Sequence, residues 1–369
     1  MNSTNRTPSR APAVACPAFA AALLLAACQP DGGPVVSQAG RAEFDGRYID
    51  AHFHAHPQSG RGGNIAFDMD GAARAALRLM DANGIAAAII MPPPFPPGRD
   101  GTYDYAELRK AVRTHPDRFA FLGGGGTLNP MIHATPAGSV TPDIQRRFEA
   151  EAEAVLAAGA RGFGEMTALH FSFHAGHPFE EIAPDHPLFL RLADIAARHR
   201  VPIDLHVEAV PEDMPVPDRV RGQGAANPPR VHANIAALKR LLSHNPAAAI
   251  IWAHAGWDNT GGRTPALMGE LLAAHPNLYM SLKFRRPGAG GATNPLDGNA
   301  SIRPGWLRLM ERFPDRFLMA TDTHVYPGAR RNRFTARPAQ ALLKGLPPPV
   351  ARAIAYDNAR RLFRLGADG

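Results

Sequence analysis

Past residue 46, short runs of apolar and β-branched residues alternate with longer stretches in which apolar positions recur every three or four residues. The first pattern predicts strands and the second amphipathic helices. Strands are expected at 47–54 (RYIDAHFH), 86–93, 119–124, 160–166, 202–208, 248–256, 278–284 and 317–323. Between them lie helical patterns such as AARAALRLMDANG, TPDIQRRFEAEAEAVLAAG, HPLFLRLADIAARHR, VHANIAALKRLLSHNP and TPALMGELLAAHP. Thr141 followed by Pro142 reads as a cap and first turn, and the glycine of "ANG" and "AAG" suits a helix end. Eight such β/α units in about 320 residues predict an α/β fold in one domain, a (β/α)8 barrel.

The connections are lopsided. Helix-to-strand joints such as "NG", "HPDR", "HRVP" and "FPDR" are short, whereas strand-to-helix joints run long at 209–230 and 285–302. Long loops therefore gather at the ends of the strands, the face on which barrels build active sites.

The first residues break this pattern. "MNSTNRTPSR" carries two arginines and no acid, and the following "APAVACPAFAAALLLAAC" is apolar or small, too short and Ala-rich for a convincing membrane span. It reads as an export signal, and "LAAC" resembles the lipobox of bacterial lipoproteins, in which the cysteine is lipidated and becomes the first mature residue. The expected organisation is a cleaved lipoprotein signal at 1–27, a polar tether at 28–46 and the barrel at 47–369, with Cys28 holding the protein in the bacterial envelope. Gln29 after the cysteine points to the outer membrane, with the barrel facing the periplasm. Cys16 and Cys28 are the only cysteines, so the folded body has neither a disulfide nor a cysteine nucleophile.

The formal charge of +7 includes Arg6 and Arg10 of the signal and otherwise comes mostly from scattered arginines. No concentrated basic stripe with interleaved aromatics is present, so a nucleic-acid partner is not expected. An anionic small substrate or an anionic membrane surface suits the excess equally.

Candidate chemistry sits at the strand ends. His52 and His54 are two positions apart, so in a strand they project to one side and could hold one ion. Glu165 ends the fourth predicted strand, His206 lies on the fifth, His254 on the sixth and Asp322 on the eighth. One stray histidine at such a place is usually structural. Four histidines and two carboxylates converging on one end of a barrel predict a metal centre. Imidazole and carboxylate suit zinc, manganese or iron, and zinc is the expected ion for redox-silent chemistry.

The order HxH, Glu, His, His, Asp resembles the amidohydrolase superfamily, and finer motifs resemble its amidohydrolase 2 family: "YIDAHFHAHP", "HPDRFAFLGGGGTLNP", "FPDRFLMATDTH" and the closing "AIAYDNARRLFRL". The likeness spans about residues 47 to 365. It implies a metal-dependent hydrolase of a small amide, lactone or ester, acting through a water whose pKa the metal lowers. His52, His54 and Asp322 would hold that metal, and Asp322 would also take the water's proton. His206 would be a further ligand. With two ions, the arrangement slightly favoured, Glu165 bridges them and His206 and His254 hold the second. With one ion, His254 is an unmetallated acid or electrophile. The same family includes decarboxylases and hydratases, and a lipid-anchored binding protein without turnover is the alternative outside enzymes.

Lys283, at the end of the seventh predicted strand, and Arg285 and Arg286 just beyond it are placed to grip a substrate carboxylate or phosphate. His56, His170, His174 and His177 read as solvated or hydrogen-bonded loop histidines. "GGGG" at 123–126 lacks the Lys and Ser/Thr of a phosphate loop and reads as a permissive turn.

Overall fold

The computed structural model describes residues 45–59, 65–174, 176–223, 226–285, 287–329 and 337–366. The signal and all of the tether but Asp45 and Gly46 lie outside the described residues, as does Arg286. No helix among the described residues is long and apolar enough to cross a membrane.

All eight predicted strands form. They are β1 (Tyr48–Ala55), β2 (Ile85–Ile90), β3 (Phe119–Phe121 and Gly123–Gly124), β4 (Phe163–His170), β5 (Ile203–Val207), β6 (Ile250–Ala255), β7 (Leu278–Leu282) and β8 (Phe317–Met319 and Thr323–Val325). Every neighbouring pair is parallel. Two strands change partner midway. Phe119–Phe121 pairs with β2 and Gly123–Gly124 with β4, while Phe317–Met319 pairs with β7 and Thr323–Val325 with β1. The pairings therefore run once around a ring of eight, the closed barrel that the alternation predicts.

Helices return the chain outside the ring, and their ends carry the expected chemistry. Thr141 and Thr264 cap Pro142–Ala157 and Pro265–Ala274 by accepting from the amides of Ile144 and Leu267, and Gly84 closes Met69–Asn83 in the left-handed region. Tyr105–Thr114 opens with a capping box of Asp104 and Glu107. Within the long loop after β5, Met214–Pro215 pairs with Arg230–Val231 around a short helix, Asp218–Arg221.

Inside the ring, where the strands begin, Ile49, Ile89, Leu122, Ile251 and Leu318 pack with Phe363 from the closing helix Asn358–Phe363. That helix is fixed by Asn358, whose amide donates to the carbonyls of Pro314 and Phe317 at 2.8 and 2.9 Å. The apolar plug fills one end of the barrel and leaves the other for polar side chains.

Register shifts set the change from plug to site. The pairs Asp50 with Ala88 and Phe53 with Ile90 leave one extra residue in β1. Equivalent extra residues lie between Phe163 and Met166 in β4 and between Trp252 and Ala255 in β6. Each is a β-bulge, which re-aims side chains and breaks strict alternation. In β1, Ile49 and Ala51 consequently join the plug while Phe53 packs outward with the helices, and His52 and His54 face inward above them. Glu165 and His254 lie within the other two bulges.

Candidate metal centre

Six side chains, five buried and Asp322 partly so, meet at the strand ends: His52, His54, Glu165, His206, His254 and Asp322. Nε2 of His52 lies 3.1 Å from Nε2 of His54. Oε2 of Glu165 is 3.5 Å from the first and 3.4 Å from the second. Oδ1 of Asp322 is 3.7 and 3.1 Å from the same two nitrogens. These four atoms come from β1, β4 and the break in β8.

The hydrogen bonds on the far sides of the rings explain why this arrangement wants a cation. Nδ1 of His54 is 3.0 Å from the carbonyl of Met91, so it carries a proton and leaves a lone pair on Nε2. Nδ1 of His52 lies 3.2 Å from Oδ1 of Asp204, off the line of a hydrogen bond but favouring a proton there as well. Two lone pairs then face each other beside two carboxylates. A divalent ion with nitrogen and oxygen ligands at about 2.0–2.2 Å has neighbouring donors roughly 3.0–3.5 Å apart, close to the spacings here. His52, His54 and Asp322 form a trio of potential ligand atoms within 4.8 Å of one another that fits one ion, with Oε2 of Glu165 beside both imidazoles as a further candidate donor.

The other oxygens of both carboxylates point elsewhere. Oε1 of Glu165 is 2.9 Å from Nδ1 of His206 and 3.8 Å from Nε2 of His254. Oδ2 of Asp322 is 3.5 Å from Nε2 of His254 and receives a hydrogen bond from Nζ of Lys283. His254 Nε2 has no hydrogen-bond partner among the described residues. His52, Glu165 and His254 also form a trio of potential ligand atoms within 4.8 Å of one another.

Electrostatics divide the histidines. Burial lowers His254 well below its ordinary pKa, outweighing the Asp322 carboxylate, and the ring is neutral at neutral pH. Burial would do the same to His206, but hydrogen bonds to Glu165 and Glu208 bring it up to about 9. Asp322 resists the upward push of burial because the Lys283 ammonium holds it well below the usual carboxylate range. His254 and Asp322 both have positive φ, 68° and 51°, a strained conformation for residues other than glycine that concentrates at functional sites.

Lys283 thus lies within the cluster, bonded to Asp322, with its ammonium 4.3 Å from the centre of the Trp257 ring. The Arg285 guanidinium stands at the same distance from that ring. Its Nη2 donates to the Asp258 carbonyl at 3.0 Å and to Asn259 Oδ1 at 2.9 Å, and its buried Nε has no hydrogen-bond partner among the described residues.

Several neighbours escape sequence reasoning. Asp204, fully buried behind His52, is one; its signal is a carboxylate two positions before His206 in an otherwise apolar strand. His324 is another, and it meets His56, which the sequence reads as a solvated or hydrogen-bonded loop histidine. Nε2 of His324 is 3.3 Å from Asp322 Oδ1, its Nδ1 is 2.8 Å from His56 Nε2, and the Tyr103 hydroxyl is 3.3 Å from His56 Nδ1. His170, read from sequence as a loop residue, packs its ring 4.7 Å from that of His206, and burial lowers it to about 3. His177 packs 4.7 Å from His170, and His174 lies 4.8 Å from His177. The "GGGG" segment is only half the expected turn: Gly123 and Gly124 extend β3 and Gly125 and Gly126 turn, with the Asp104 carboxylate accepting from the amides of Gly124 and Gly126. A Cβ on Gly126 would lie 2.1 Å from the Tyr103 carbonyl oxygen, so the chain passes too closely there for any side chain.

No curated protein sequence matches the chain. Solved structures similar over most of its length include a provisionally assigned 2-pyrone-4,6-dicarboxylic acid hydrolase from Pseudomonas putida, 13% identical with a TM-score of 0.51, covering 88% of this chain and 100% of that one. A 2,6-dihydroxybenzoate decarboxylase complexed with 2,6-dihydroxybenzoate is 18% identical, with a TM-score of 0.49 and coverage of 86% and 99%. A dihydroxybenzoic acid decarboxylase from Polaromonas, with bound manganese and 2-nitroresorcinol, is 17% identical, with a TM-score of 0.46 and coverage of 87% and 98%. The sequence profile described as "Amidohydrolase" matches residues 130–365, a span that starts beyond His52 and His54 but takes in Glu165, His206, His254 and Asp322. With more than half its length matched and the metal-ligand cluster assembled at the strand ends, the chain belongs to the amidohydrolase family.

Proposed function

We propose that this protein is a metal-dependent hydrolase that cleaves a small, anionic amide, lactone or ester, with one divalent ion, zinc for preference, held by His52, His54, Glu165 and Asp322. The observation that carries the reading is that the facing Nε2 atoms of His52 and His54 each meet a Glu165 and an Asp322 oxygen at 3.1–3.7 Å. Such an ion would supply Lewis acidity, lowering the pKa of a coordinated water and polarising a carbonyl. The one-ion form is favoured over the bridged pair because Oε1 of Glu165, the oxygen a second ion would need, is already taken up by Nδ1 of His206 at 2.9 Å.

The residues then divide the work. Lys283 keeps Asp322 ionised and oriented. His254, neutral and with an open Nε2, stands beside Asp322 to accept a proton from the attacking water and return it to the leaving group. His206 locks Glu165 from behind. Arg285, presented on Trp257 with an unused donor, supplies the cation for a substrate carboxylate.

The N-terminal segment completes the proposal: export, cleavage before Cys28, and anchoring by lipid in the envelope with the barrel facing the periplasm. The enzyme reading is tested by metal analysis of purified protein together with a screen of lactones, amides, carboxylated aromatics and phosphoesters. One equivalent of divalent metal and chelator-sensitive hydrolysis are expected. Release of CO2 from a carboxylated aromatic, with no hydrolysis, would replace the hydrolase by a decarboxylase.

A further inference from the structure

The barrel has two mouths, and only one carries the metal-ligand cluster. The other, where the strands begin, is edged with arginine. Arg47 precedes β1, Arg161 precedes β4 and Arg200 precedes β5, while Arg360, Arg361 and Arg364 come from the closing helix and its end; all six are exposed. Two clefts open among them. One of about 410 Å3 has Ile49, Ile89 and Phe119 in its lining together with Arg161 and Arg360. The other, about 200 Å3, is bordered by Arg161, Arg200 and Arg364.

Acidic residues do little to cancel this charge. Asp81 is engaged by Arg118 at 2.7 Å, Asp315 by Arg316 at 3.3 Å, Asp357 by Arg352 at 3.2 Å and Glu153 by Arg198 at 3.2 Å, so these acids are spent on cations outside the six. Arg47 and Arg161 have no ion-pair partner among the described residues. Such a patch attracts anionic headgroups over roughly a Debye length.

We propose that this arginine-edged mouth docks on an anionic phospholipid bilayer, so that the barrel rests strand-start down and the metal-ligand mouth faces away from the membrane. Charge complementarity is the first argument. The position of the chain entry is the second: β1 begins beside Arg47 at this same mouth, and the expected lipid attachment, Cys28, lies only nineteen residues upstream. An attachment so few residues from Arg47 would hold this mouth close to the headgroups. This second argument rests on the lipid-anchor reading; the first does not.

The test uses the full chain mixed with or reconstituted into vesicles of phosphatidylcholine, with and without a quarter phosphatidylglycerol. Flotation with neutral vesicles reports the anchor, and arginine modification by phenylglyoxal, mapped by mass spectrometry, reports the docking face. On phosphatidylglycerol, modification of Arg47, Arg161 and Arg360 should slow by about fivefold, with recovery at high salt and no change at exposed Arg99 on the opposite mouth. Substituting Arg47, Arg161 and Arg360 together by Gln, or by Glu if the protein folds, should abolish the protection of Arg200 and Arg364. Equal rates on the two vesicle types overturn the proposal whether or not the chain floats. Equal protection by inorganic phosphate without vesicles would make this a free-anion site and overturn docking as well. A chain that shows the protection yet fails to float with neutral vesicles supports the face while refuting the anchor.

Discussion

The carboxylate of Asp204 on β5 lies 3.2 Å from Nδ1 of His52 on β1, across the interior of the barrel, and neither side chain is exposed. A carboxylate behind a metal-ligating histidine fixes the ring's proton and raises the basicity of the other nitrogen. Asp204→Asn should therefore weaken metal affinity by about 10–100-fold with little change in circular dichroism, measured by competition with a chromophoric chelator. Unchanged affinity would show that His52 is oriented by the strand alone.

Asp322→Asn keeps size and polarity but removes a ligand charge, the partner of Lys283 and the neighbour of His254. The rate should fall by about a hundredfold or more, in kcat rather than KM, because proton transfer through His254 loses its anionic neighbour as the ion loses a charged ligand. Steady-state kinetics at saturating metal, on whichever substrate the screen identifies, check this. Full activity would take Asp322 out of the chemistry.

Metal stoichiometry separates one ion from two. Calorimetric titration of metal-free protein should give one binding event for the wild type and one, weaker, for Glu165→Gln. Two tight events in the wild type, one of them lost in the variant, would instead establish the bridged pair.

Glu180, not itself a candidate ligand, offers a readout of stability. Its carboxyl is buried, accepts from Asn129 at 3.2 Å, and is pushed up to about 8 by desolvation. A raised carboxyl pKa means the folded state holds the proton more tightly than the unfolded chain, so stability falls as pH rises from about 4.5 toward 8. Glu180→Gln should stabilise the protein at pH 7 by up to about 3 kcal/mol and make no difference below pH 4. Denaturant titrations at the two pH values check it; an equal effect at both would mean the carboxyl is not protonated in the fold.

Cys28→Ser should abolish fatty-acid labelling and leave a heavier chain that retains its signal. Labelling and mass identical to the wild type would refute lipid anchoring.

The strands were legible because a closed barrel buries both faces of each one, which produces compact apolar runs, and the convergence of the candidate ligands was legible because they punctuate those runs at one end. Their mutual geometry was not. Single-strand periodicity places His52 with His54, but bringing Ile49 and His52 to the same interior requires the bulge in β1, and that depends on pairing with β2. Lys283 illustrates the same limit: its position at the end of β7 was readable, yet its engagement with Asp322 depends on β7 and β8 lying side by side. His170 was undervalued because nothing local distinguishes a histidine packed against His206 from one in solvent. Arg285 was found on the correct face, but its seat on Trp257 comes from the loop after β6.

The changes of partner within β3 and β8 divide the barrel into two half-shells, one of β1 and β2 with parts of β3 and β8, the other of β4 to β7 with the remaining parts. His52 and His54 belong to the first, Glu165, His206 and His254 to the second, and Asp322 to the break between the two segments of β8. An ion shared by these side chains would therefore act as a rivet across the seam. Its binding energy would be available to hold the halves together as well as to perform chemistry, and removing it would loosen the join beside Asp322 before it disturbed the plug at the opposite end.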